Sequence, residues 1–120
     1  MEGVFDLEER TLKFGKKIIL LVKKIPKNIS TENIVKQLLK SGTSIGANYS
    51  EANSAESRND FIHKIGIVKK ESKETVYWLE LLKVTVPEIS EEIEDVKKEA
   101  KELFYIFNSI HNKTRNNDNL

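Results

Sequence analysis

The segment Arg58-Asn-Asp-Phe-Ile-His63 sets a guanidinium and an imidazole five residues apart. On one helix such a pair could supply a phosphate-stabilising cation and a general acid–base for RNA cleavage. Asp60 and His63 also form one imperfect carboxylate-x-x-His unit of the kind that builds di-metal centres in helical bundles. The second histidine, His111, has Asn108 where its carboxylate should stand, so neither a metal nor a cofactor is expected. A third group is the row Gln37, Ser41, Ser44, Asn48 and Glu51, spaced three and four apart, with Glu71 and Glu74 expected to face it from the next helix. Small polar groups along the margin of a buried face suit a hydrogen-bond network that fixes the register of two helices. The sharper alternative is a ligand or ion site. Carboxylates without a cluster of metal-type ligands favour the structural reading, and Walker, G-x-S-x-G and His-Glu-x-x-His patterns are all missing.

Four helices must position these groups. The first is read over Leu7 to Ile25, with Leu7, Phe14, Ile18, Leu21 and Ile25 on one stripe and Pro26 behind it. The second starts after Ser30 or Thr31 as N-cap and runs to about Ala55, carrying Ile34, Leu38, Ile45, Tyr49 and Ala52 on its buried face. Its middle, Ser41 to Glu51, is rich in Gly and Ser and resembles a loop by composition, yet the apolar spacing passes through without a phase break. The third opens at Ser57, where Ser57 and Asp60 have capping-box spacing, and carries Phe61, Ile65, Val68, Ser72, Val76 and Leu79. The fourth follows Pro87-Glu88 with Ile89, Ile93, Val96, Ala100, Leu103, Phe107 and Ile110 in heptad spacing. Short connections between helices of similar length predict an all-α, up-down-up-down antiparallel four-helix bundle over residues 1–113, with 114–120 as a flexible tail.

Second apolar faces suggest self-association. Phe5, Leu12 and Ile19 recur on the first helix away from the core stripe, and Ile67, Trp78 and Leu81 do so on the third. A helix in a four-helix monomer needs one buried face, so a homo-oligomer built through these two helices is expected. Charge is close to balanced, 20 Lys and Arg against 19 Asp and Glu, but unevenly placed. Every charge from Arg10 through Lys27 is positive, and Arg10, Lys13, Lys17 and Lys24 form a surface stripe able to meet nucleic acid. Acids dominate from Glu88 to Glu102, and a fourth helix lying beside that stripe would neutralise it. Cysteine is absent, the N-terminus lacks the order of a signal peptide, and the apolar run Ile18 to Val22 is far too short to span a bilayer. A cytoplasmic protein without a membrane partner is expected.

Ser44-Ile-Gly-Ala-Asn-Tyr-Ser-Glu-Ala52 resembles the S-I-x-x-N-x-x-E-A/G segment of the small proteins encoded in intervening sequences of bacterial 23S rRNA genes, also labelled the S23 ribosomal protein family. Ser57-Arg-Asn-Asp-Phe-Ile62 is similar to that family's next segment, and Glu71 to Leu79, ending Tyr-Trp-Leu, to its third-helix run. The resemblance covers about residues 5–85. It implies a four-helix bundle, commonly a homopentamer, with no established enzymatic activity. A related accessory protein of diversity-generating retroelements binds nucleic acid and a reverse transcriptase through basic surfaces. RNA and a protein are therefore the candidate partners beyond the chain itself, although this chain is nearly neutral where that relative is basic. Arg58-x4-His63 is also similar to the R-x4-H motif of helical HEPN ribonucleases. There the motif lies later in the domain, so a ribonuclease using Arg58 and His63 stands as the alternative to a non-enzymatic scaffold.

Overall fold

The computed structural model describes residues 7–118, which form four α-helices and one short 3-10 turn. Helix α1 spans Leu7–Val22, α2 Glu32–Asn53, α3 Arg58–Thr85 and α4 Ser90–Asp118, with the turn at Pro87–Ile89. Ser57 caps α3 as its sequence context predicts, its hydroxyl accepting from the backbone N–H of Asp60 at 3.0 Å. Thr31 sits at the N-cap of α2 but makes no side-chain cap. Its buried hydroxyl instead donates to the carbonyl of Pro26, and Asn28 Oδ1 accepts from the backbone N–H groups of Ser30 and Thr31. The threonine thus closes the turn that reverses the chain, which satisfies local backbone groups as well as a cap would. Helix α1 ends at Val22, a few residues short of the expected Ile25, although Ile25 is still buried at the core edge. At the other end α4 runs on through Lys113, tied by Thr114 to the carbonyl of Ile110 and by Arg58 to the carbonyl of Thr114.

Contacts across neighbouring helices establish the antiparallel order. Thr11 and Ile18 of α1 meet Gly46 and Gly42 of α2. Ser41 and Glu51 of α2 meet Thr75 and Lys64 of α3, and Glu80 and Lys83 of α3 meet Lys97 and Glu94 of α4. In each case the numbers rise on one helix as they fall on the next. Helices α1 and α3 stand diagonally apart without close backbone approach, and α1 meets α4 only sparsely. The Gly/Ser-rich middle of α2 is continuous helix because it is the crossing point with α1. A Cβ on Gly42 would lie 2.7 Å from Ile18 Cγ1, and one on Gly46 would lie 3.2 Å from the carbonyl oxygen of Thr11. Glycine at these two positions lets the backbones approach, at the cost of weak intrinsic helix propensity.

The core follows the apolar stripes closely. Phe14, Ile18, Leu38, Ile45, Ile65, Val68, Leu79, Ile93, Leu103 and Phe107 are fully enclosed. Ile34, Tyr49, Phe61, Val76, Ile89 and Ile110 are half-buried at its margin. No helix of the described residues is long and apolar enough to cross a membrane.

Candidate functional site

The polar row on α2 divides into separate contacts. Ser44 turns back to the carbonyl of Lys40, and Asn48 Nδ2 donates to the carbonyl of Ser44 at 2.9 Å, so both bond within their own helix. Glu51 is exposed and pairs with Lys64 of α3 at 2.7 Å. The hydroxyl bond that joins the two helices in the interior lies one turn away, where Thr75 Oγ1 meets Ser41 Oγ at 2.9 Å, both buried. A network joining Ser44 and Asn48 to Glu71 and Glu74 is therefore not what holds α2 to α3. Those positions are half-buried at the margin, where side chains reach their own backbone more easily than the next helix. Thr75→Val is expected to cost about 1 kcal/mol in chemical denaturation. Adding Ser41→Ala should cost less than the sum of the two single changes, since each single change already breaks the shared bond, and each hydroxyl keeps a carbonyl of its own helix, Leu38 for Ser41 and Glu71 for Thr75.

Among the described residues, Glu71 is the carboxylate whose pKa is raised. Burial raises its pKa above the ordinary range, Glu74 adds repulsion, and Lys70 and Lys40 oppose the shift. A raised folded-state pKa means that the folded protein binds the proton more readily than the unfolded chain, so this group costs stability as pH rises through and above the ordinary carboxylate range. Glu71→Gln should raise the melting temperature at pH 7 and change it little at pH 4.

The basic stripe of α1 is largely engaged by α4. Arg10 forms a two-pronged ion pair with Glu99 at 2.7 and 2.8 Å and a further bond to Glu102 at 2.8 Å. The bond to Glu99 is the main reason its pKa is held above the ordinary guanidinium value, with Glu102 adding to it against partial burial. Lys24 pairs with Glu92 at 2.6 Å, and Lys13 approaches Glu9 of its own helix at 3.6 Å. Lys17 and Lys16 remain exposed with no ion pair among the described residues. The acidic fourth helix thus covers both ends of the stripe and leaves its middle open.

On the same helix Leu12 is 57% and Ile19 43% exposed. With Gly15 and Lys16, they border a groove of about 810 Å³ floored by Thr43, Gly46 and Ala47 of α2, with Glu8 and Glu9 at one end. Phe5 lies outside the described residues. On α3 the apolar surface is displaced from the positions read in the sequence. Trp78, Ile67 and Leu81 are half-buried, Trp78 against the core, while the exposed apolar side chains there are Tyr77 and Val84. Tyr77 packs edge-on against Trp78 with ring centroids 4.9 Å apart.

Arg58 is drawn to the end of α4, its guanidinium donating to the carbonyl of Thr114 at 3.1 Å, while His63 is exposed. His111 is the more enclosed histidine: its Nδ1 is buried without a hydrogen-bond partner among the described residues, and its Nε2 lies 3.1 Å from where a Cβ on Gly66 would stand. Burial, with Lys69 and Arg115 nearby, lowers its pKa. Among the described residues no three His, Asp or Glu side chains converge into a metal-binding group.

The model for the 23S rRNA-intervening sequence protein family matches residues 5–109, which takes in the first three helices and most of the fourth. The chain belongs to this family. A crystal structure of a protein of unknown function from the S23 ribosomal protein family of Bacteroides thetaiotaomicron is 39% identical and superposes with a TM-score of 0.77. The match covers 87% of this chain and 96% of that one. No curated protein matches the chain significantly. Within the intervening-sequence fold, the Ser44–Ala52 segment that carries the family resemblance gives Gly46 to the α1–α2 crossing and Ile45 and Ala52 to the core, with Ser44 and Asn48 at the margin. Gly42 and Gly46, which make that crossing, are legible only as helix-breaking residues inside an unbroken apolar pattern.

Proposed function

We propose that this intervening-sequence protein is a non-enzymatic helical scaffold that assembles with copies of itself. The observation that carries the reading is the apolar groove beside Leu12 and Ile19, an open apolar face on the surface of the bundle. Five copies is the number that the family resemblance supports. Sedimentation equilibrium at micromolar concentration tests it: a multiple of the protomer mass is expected, and a monomer overturns the reading. A ribonuclease is disfavoured because Arg58 is committed to the end of α4 while His63 points to solvent.

RNA attachment is the second reading, supported by the open middle of the basic stripe at Lys13 and Lys17. Assembly would repeat that patch and turn weak contacts into avidity. Structured RNA should bind weakly at about 50 mM salt and be lost by about 200 mM, because the attraction rests on counterion release. Lys13→Glu with Lys17→Glu should abolish the signal, and Arg10→Ala should not, since Arg10 already serves Glu99 and Glu102.

A further inference from the structure

The scaffold reading leaves open what fills the α1–α2 groove, and the order of residues along α3 answers it. One outward row of α3 carries Lys73, Tyr77, Glu80 and Val84, all exposed, with Tyr77 at 57% and Val84 at 78%. The groove presents, in chain order, Glu8 and Glu9, then Leu12 with Gly15, then Lys16, then Ile19. The two rows span nearly the same length, with steps of four, three and four residues on α3 against four, four and three on α1, so paired positions stay within one residue of register. Set side by side and running the same way, they place Lys73 at the acidic end, Tyr77 on Leu12, Glu80 at Lys16 and Val84 on Ile19.

We infer that the groove between α1 and α2 of one protomer seats the outer face of α3 of a second copy, in this parallel register. Three further features fit. The floor of the groove is glycine, alanine and threonine, which leaves room for an aromatic ring, and Trp78 braces Tyr77 in its outward position. Glu80 already holds Lys97, but its side chain is 57% exposed and keeps an oxygen for a second cation. Finally, α1 and α3 run the same way within one bundle and stand diagonally across it. A contact from α1 of one copy to α3 of the next is therefore heterologous, and its parallel course keeps every bundle pointing in one direction. A repeated contact of that type makes a cyclic ring where the rotation between copies closes and a filament where it does not, whereas the same groove paired with itself would stop at a twofold dimer.

The inference rests on the scaffold reading, and a cysteine experiment separates the two. The chain has no cysteine of its own. Because α1 and α3 do not approach within a protomer, a disulfide between positions 12 and 77 can form only between copies. Leu12→Cys combined with Tyr77→Cys should give a ladder of covalent multimers on a non-reducing gel, and each single variant should give none. Covalent dimers from Leu12→Cys alone would show a groove paired with itself and overturn the proposal. An oligomer by sedimentation that yields no ladder would overturn the register and leave the scaffold intact. A monomer would overturn both. Charge exchange gives an independent readout: Glu9→Lys should weaken assembly about tenfold, and adding Lys73→Glu in the same chain should restore it.

Discussion

Replacing Gly42 with valine is expected to destabilise the protein by about 3 kcal/mol, and even Gly42→Ala should lower stability by about 1 kcal/mol, against its helix propensity. Glycine in a helix interior costs about 1 kcal/mol relative to alanine, so at an open site the alanine variant would be the more stable. Here the added Cβ would stand 2.7 Å from Ile18 Cγ1 and 3.1 Å from Ile18 Cγ2. Ile18 is fully buried, and these are its branching carbons rather than the end of a flexible chain, so either Ile18 leaves its rotamer or α1 moves away from α2. Overpacking of that kind costs about 1–3 kcal/mol and outweighs the propensity gain. Denaturant midpoints for the three proteins should fall in the order glycine, alanine, valine. A double variant, Gly42→Ala with Ile18→Ala, should lose less than the sum of its parts, because removing the isoleucine branch removes the clash.

The second large effect concerns assembly. If the protein assembles as proposed, Leu12→Glu together with Ile19→Glu should reduce it to protomers at micromolar concentration while leaving helical content and melting of the protomer close to those of the parent. Both side chains are substantially exposed in the single bundle, so the substitutions touch nothing in the core. In an assembled interface each carboxylate would be desolvated without a partner, at about 2 kcal/mol or more apiece. That corresponds to at least a hundredfold loss at every contact, multiplied around a ring. Sedimentation velocity beside circular dichroism distinguishes this from unfolding. Unchanged assembly would mean that the oligomer forms elsewhere. Ile65→Glu is the contrasting control, since Ile65 is fully enclosed and its replacement should unfold the protomer itself.

Much of the bundle is legible in the chain because helix burial has a period that sequence displays directly. Phe14, Ile18 and Leu21 on α1 and Ile93, Ala100, Leu103 and Phe107 on α4 are buried as their spacing predicts. The same periodicity carries α2 through its Gly/Ser-rich middle. The Ser57 cap is legible because its hydrogen bond spans three residues and depends on nothing distant. Short connections dictate antiparallel neighbours, and the interhelical contacts bear this out.

Margins and surfaces are where spacing loses its force. A residue at the edge of a buried stripe turns inward or outward according to the width of the neighbouring helix, which no local pattern encodes. Trp78 therefore goes half-buried against the core while Tyr77, beside it, stays out. Ser44 and Asn48 bond to their own helix, and Ser41, on the same row, crosses to Thr75. The basic stripe is the same case in electrostatic form. Arg10 and Lys24 read as surface cations on α1, but the antiparallel placement of α4 brings Glu99, Glu102 and Glu92 to them. The sequence by itself determined four amphipathic helices, their order and their family, because those depend on residues near one another in the chain. Only the tertiary structure decided which cations stay open, which hydroxyls join helices and which apolar groups face outward, because each depends on a partner from another helix.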